Sequence, residues 1–272
     1  MLSSCLINKQ VISLNGPAFY NNDVSYQPKP ISADTVHHAT YVSASLINGQ
    51  GANENDELTA GQLNLGMAYT IKHFNFAYGA FGAAGSFNNA TVEGDEPYYF
   101  HDKFVGVTGG RASVNYYITS GHVDIRIIGI EAAYSHEFGG YANYRNEVVG
   151  VPGFYTNTRT NLFTIGGSTE VTWYGRDPSW QYGLRLFIGQ TDGSYVNNSY
   201  SDVSRTAGAL AYFMQIKRYF MVGELTGSGG HFSLGYRFLW KFNEFVQHLS
   251  MKLAFAFHFT SSYTKNPVLT LK

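Results

Sequence analysis

The sequence predicts an all-β fold, a closed antiparallel β-barrel that crosses a membrane with its strands. Three observations predict it: side chains alternate with period two over long segments, short and long connectors take turns, and charges are scarce while aromatics abound. Of 272 residues only 14% are charged, against roughly a quarter in an average soluble domain. Aromatics make up 16%, with 21 Tyr and 20 Phe. No apolar run approaches the 18 or so residues of a membrane helix, so a crossing falls to strands. The 18 basic and 19 acidic residues leave a net charge of −1. With no basic run either, composition excludes an electrostatic footprint for nucleic acid.

The chain opens with Leu2-Ser3-Ser4 before Cys5, its single cysteine, so no disulfide can form within it. Leu-Ser-Ser-Cys resembles a bacterial lipobox, which implies residues 1–4 as the end of a lipoprotein signal peptide and Cys5 as the lipidated residue. Residues 6–9, Leu-Ile-Asn-Lys, lack the acidic residues that send resembling lipoproteins to the cell surface, which favours the inner leaflet. Residues 5–37 then form a lipid-anchored linker, kept extended over 10–37 by Asn15-Gly16-Pro17, Pro28 and Pro30.

From residue 38 alternation dominates. In Gln62 to Ile71 every odd residue is large and apolar (Leu63, Leu65, Met67, Tyr69 and Ile71) and every even one is small or polar. Trp180, Tyr182, Leu184, Leu186 and Ile188 alternate with Gln181, Gly183, Arg185 and Gly189. Successive strand side chains point to opposite faces, so each segment has one greasy face and one small or polar face. The strands are expected at 38–48, 61–71, 74–86, 103–118, 123–136, 158–174, 180–191, 204–218, 231–242 and 250–259. That makes about ten. The region 216–231 leaves the count between eight and twelve, since Gly223 to Gly230 reads as a turn and Phe220 to Thr226 as a further strand. Segments such as 103–118 exceed the usual globular strand of about 5–6 residues and reach the roughly 9–11 a membrane strand needs. On 123–136 the apolar phase flips between Ile127 and Ile128, which a β-bulge near Ile127 reconciles.

Connectors sort by length. Short turns fall at Lys72-His73, Thr119 to His122 and Gly175 to Ser179, and longer polar loops at 49–60, 87–102, 137–157 and 192–203. Tight periplasmic turns and long outer loops give this pattern in transmembrane barrels. Acidic residues (Glu54, Asp56, Glu57, Glu93, Asp95, Glu96, Asp102) gather in the first two long loops. Tyr98, Tyr99, Tyr116, Trp173, Trp180 and Trp240 recur near strand ends, where aromatic girdles meet the membrane boundary.

A barrel this narrow is largely filled by its own side chains. Alternation turns Arg111, Glu131, Glu170 and Arg185 inward. A turn centred at Ser120-Gly121 brings Arg111 close to Glu131, and one centred at Asp177-Pro178 sets Glu170 opposite Arg185. Each arginine is thus expected to face a glutamate across a strand pair, a structural ion pair that seals the lumen.

No Gly-x-Ser-x-Gly, phosphate-cradling loop, Cys-x-x-Cys or His-Glu-x-x-His occurs. Thr226-Gly227-Ser228-Gly229-Gly230 lacks a following Lys and reads as a turn. His37-His38 and His136-Glu137 lack a second ligand pair at metal-binding spacing. Ser135, His136 and Glu137 near a strand end keep open an enzyme acting on lipid. The sequence implies no cofactor, metal or catalytic set.

Taken together, the chain resembles small outer-membrane β-barrel proteins of Gram-negative bacteria, and with Cys5 it is similar to barrel lipoproteins of Bacteroidota-type membranes. The likeness spans the barrel, 38–259. Leu253, Phe255, Phe257 and Phe259 resemble the alternating aromatics of a barrel's last, lipid-facing strand, although a tail, Thr260 to Lys272, follows them. The resemblance implies outer-membrane lipid as surroundings. With two tails and a filled lumen, it implies a non-enzymatic accessory subunit of a larger outer-membrane complex, such as barrel-assembly or protein-export machinery. A stand-alone surface-binding protein or small-solute channel is the alternative.

Overall fold

The computed structural model describes residues 12–14, 16–19, 24–31, 38–50, 56–89, 100–177, 180–192, 205–216, 219–229 and 250–259, the last strand by its backbone. Strand β1 (Ile12–Leu14) precedes β2 (His38–Gln50), β3 (Asp56–Ile71), β4 (Phe74–Asn89), β5 (Lys103–Ser120) and β6 (Val123–Phe138). Helix α1 (Gly140–Glu147) and β7 (Phe154–Thr156) follow, then β8 (Asn161–Tyr174), β9 (Trp180–Asp192), β10 (Arg205–Ile216), β11 (Tyr219–Gly229) and β12 (Ser250–Phe259). Antiparallel pairing runs from β2 through β6, then β8 to β12, and β12 pairs back onto β2. The short β1 pairs in parallel with β7, outside this ring.

Period two builds the wall. Along β3 the burial alternates, with Leu63 and Leu65 66% and 57% exposed on the outside and Gln62 and Ala68 2% and 0% exposed within. The same holds on β9, where Tyr182, Leu184, Leu186 and Ile188 face out while Gln181, Arg185 and Phe187 face in. Exposed aliphatic and aromatic side chains of this kind recur on the described strands β2 to β11. A closed wall satisfies every ladder hydrogen bond, so this outward belt fits hydrocarbon. Aromatics mark its two ends. Trp173 stacks on Tyr182 at 5.5 Å and Phe74 meets Tyr116 at 5.4 Å beside the short turns, while Phe104 lies 6.5 Å from Phe138 beside the long loops. Tyr98, Tyr99 and Trp240 lie outside the described residues.

Lys72-His73 and Gly121-His122 are two-residue turns, and Gly121 takes the left-handed conformation (φ 60°) that such a hairpin requires. Between Arg126 and Gly129 the β6–β8 register slips, so Ile127 and Ile128 both face out. This is the bulge expected near Ile127.

Three features differ from the sequence reading. Of the two readings of 216–231, the further strand holds: it runs over Tyr219–Gly229, paired with β10 and β12, and takes in Gly227 and Gly229, which read as a turn. Pairing outweighs their low strand propensity, and the strand expected at 231–242 lies outside the described residues. The loop 137–157 carries α1 and β7. Asp56, expected in a loop, is the first residue of β3 and 3% exposed.

The largest difference concerns the amino-terminal segment. Residues expected to link an anchor to the barrel instead thread its lumen. Leu14 and Phe19 pack with Ile47, Phe87, Phe100 and Tyr141 at the long-loop mouth. Residues 24–31 continue through the interior towards the short turns, and Tyr26 stacks on Phe213 at 4.6 Å and Phe220 at 5.8 Å. We call residues 24–31 the strap. Pro28 and Pro30 keep it extended, as a linker would be, but Tyr26 (8% exposed) and Lys29 (3%) are buried inside the wall.

Candidate functional site: a charge clamp in the lumen

All four residues expected to form luminal ion pairs, Arg111, Glu131, Glu170 and Arg185, are inward and buried. Glu170 and Arg185 stand opposite one another in the β8–β9 register as expected. Arg111 stands opposite Ala133 and Glu131 opposite Ser113, because the hairpin turn is Gly121-His122 and the bulge adds a further step.

The ion pairs themselves follow reach across the lumen rather than register. Arg185 donates from Nε to Glu131 Oε1 at 3.1 Å and from Nη2 to Glu131 Oε2 at 2.5 Å, skipping the intervening β8, and from Nη1 to Glu224 at 3.2 Å. Glu170 instead accepts from Arg126 Nη1 at 2.6 Å. Arg126 also donates to Asn75 Oδ1 at 2.8 Å, Thr172 Oγ1 at 2.9 Å and the carbonyl of Pro30 at 3.1 Å. Its planar fork is thereby matched on every side, which a buried guanidinium demands.

The strap completes this network. Lys29 Nζ lies 3.4 Å from Glu170 Oε2. The Tyr26 hydroxyl donates to Glu170 at 3.0 Å and its backbone N–H to Glu224 at 3.1 Å, so one residue ties the two ion-pair groups together. Arg111 donates to the carbonyl of Ser25 at 3.1 Å and to Asn64 Oδ1 at 2.8 Å, with its guanidinium 4.3 Å above the Phe81 ring. Three carboxylates (Glu131, Glu170, Glu224) thus meet three cations (Arg126, Arg185, Lys29). The clamp is neutral only with the strap in place.

The mouth is built differently. Apolar side chains dominate there, beside the buried pair of Arg145 on α1 with Glu137 at 2.7 Å. Glu137 also accepts the backbone N–H of Ala18 at 2.5 Å. The Arg145 guanidinium lies 4.7 Å over Tyr141, whose hydroxyl burial pushes well above the ordinary phenol range. Gly16 passes so close to Arg145 that any Cβ there would collide with the guanidinium.

Sequence reasoning missed Arg126, Glu224, Tyr26 and Lys29. Arg126 was legible, since it sits two residues from Asp124 on the polar face before the bulge. Tyr26 and Lys29 lie in a segment with no period to betray a face. The Ser135, His136 and Glu137 group does not assemble: Ser135 and Glu137 point inward at 1% and 2% exposure, while His136 points outward and bonds Asn161 at 2.7 Å. His38 stacks outside on Tyr69, and no group of three or more His, Cys, Asp or Glu gathers among the described residues. Register sets Leu253, Phe255, Phe257 and Phe259 opposite Leu46, Ala44, Val42 and Thr40. Their side chains, Cys5 and the tail after Phe259 lie outside the described residues.

Comparison with protein families and with curated proteins finds no match. Solved structures give distant likenesses. An outer-membrane channel of Pseudomonas putida F1 is similar over 86% of this chain and 100% of its own, at 8% identity and a TM-score of 0.45. The translocator domain of the autotransporter NalP from Neisseria meningitidis covers 83% and 89%, at 8% identity and 0.37. The outer-membrane protease OmpT from Escherichia coli covers 84% and 98%, at 7% identity and 0.38. At such scores these likenesses decide nothing by themselves, and the reading of this chain rests on its own belt, lumen and strap.

Proposed function

We propose that this chain is an outer-membrane β-barrel lipoprotein without catalytic activity, serving as an accessory subunit of a larger outer-membrane assembly such as barrel-assembly or protein-export machinery. One observation carries the reading: the described strap runs through the lumen and neutralises the clamp, which supports a plugged interior over a conduit or a substrate site. What is left for interaction is the loop end, with α1 and β7. Extraction in mild detergent followed by mass spectrometry of co-purifying proteins tests this. Reproducible partners in stoichiometric amounts are expected, and a protein that always runs alone overturns the reading.

The lipid anchor on Cys5 rests on Leu2-Ser3-Ser4-Cys5. Ile12 sits at the long-loop mouth, seven residues after Cys5, a reach of at most about 25 Å. That position supports the loop-side leaflet, against the inner leaflet that residues 6–9 suggest. Metabolic labelling with a fatty-acid analogue, lost in Cys5→Ala, checks the modification, and surface labelling of intact cells checks the side.

A further inference from the structure

The strap is held without strand pairing. Residues 24–31 belong to no strand; wall side chains hold them, through the carbonyls of Ser25 and Pro30, the N–H of Tyr26 and the Lys29 ammonium. The wall behind them mixes apolar side chains such as Phe187, Phe213 and Phe220 with polar ones. Asn115, Thr164, Gln181 and Thr191 are all buried and inward. A wall covered for good gains nothing from such residues, whereas a wall exposed to water needs them. Beside the strap a void of about 30 Å³ already borders Gln27, Tyr41, Ser43, Asn64 and Arg111, room for about one water.

Charge gives the open lumen its preference. Without Lys29 the clamp keeps two guanidiniums against three carboxylates. The other described buried charges of the ring and α1 are Arg111 and Arg145 against Asp56, Asp124 and Glu137, so the wall stays net negative. Ten strands about 4.8 Å apart and tilted by about 40° close at a backbone radius of about 10 Å, enough to pass hydrated ions once the strap is gone.

We propose that the barrel is a closed cation channel in which the strap is the gate and Lys29, with Tyr26, the latch. The inference stands apart from the subunit reading, since a protein that runs alone in detergent can still gate. The test is conductance of the full chain in planar bilayers. Wild type is expected to be silent. Lys29→Glu, which sets a fourth carboxylate in the clamp, is expected to raise open probability at least tenfold, with a reversal potential favouring potassium over chloride. Adding Glu170→Gln is expected to reduce that preference. Heat-modifiable electrophoretic mobility verifies that each variant is folded, and Lys29→Gln carries the same test if Lys29→Glu does not assemble. Folded variants as silent as wild type overturn the gate, as does wild type conducting equally. Chloride preference overturns the charge assignment.

Discussion

The mid-lumen clamp and the long-loop mouth hold the same amino-terminal segment by opposite means. At the mouth, Leu14 and Phe19 enter an apolar cluster beside the Arg145–Glu137 ion pair. In the clamp, six charges and a tyrosine share hydrogen bonds, and the apolar contacts, Tyr26 on Phe213 and Phe220 and Val24 beside Phe187, flank that polar centre. Apolar packing adapts to whatever is near, whereas buried charges tolerate only their own partners. The mouth therefore supplies adhesion and the clamp supplies register.

Removing one partner from each region separates the two effects. The largest loss is expected from Arg185→Ala, which strands Glu131 and Glu224 in the interior and costs about 3–5 kcal/mol. Replacing all three residues by apolar ones of similar size should restore most of that, and urea midpoints in detergent followed by tryptophan fluorescence read both. Phe19→Ala, at 1% exposure, should cost about 3 kcal/mol through the cavity it leaves at the mouth. An outside control comes next: Leu184→Arg puts a charge on the belt, for a loss of about 2 kcal/mol in liposomes if that face meets hydrocarbon. Smallest is Arg159→Ala. Its pair with Asp192 is exposed (45% and 64%), so the unfolding midpoint should move by no more than about 0.5 kcal/mol.

The same contrast explains what could be read from the sequence. Wall residues follow period two because lipid and lumen impose opposite demands on neighbours, so Leu63, Leu65, Tyr182 and Leu186 announce their side, and so do Glu131 and Arg185. Even the bulge was legible, since Ile127 and Ile128 cannot both be apolar on opposite faces. Ion-pair partners were not, because Arg185 reaches past β8 to Glu131, and no pairing rule between adjacent strands contains that reach. Gly223, Gly227 and Gly229 left β11 undecided between turn and strand, and its neighbours settle it as a strand. The strap was hidden for a deeper reason. An extended Pro-containing stretch looks alike in solvent and inside a cylinder, and only the wall's surplus carboxylates say which.

Sequence separation at the clamp bears on how the molecule is made. Tyr26 meets Glu170 and Glu224 across 144 and 198 residues, and Lys29 meets Glu170 across 141. An emerging chain thus carries an ammonium whose counter-ion, Glu170, is synthesised 141 residues later. Such distant contacts form late, and the wall's own closing pair, β12 on β2, sets Phe259 opposite Thr40, farther apart in sequence still, so the strap's locking and the cylinder's closure both wait on strands made late.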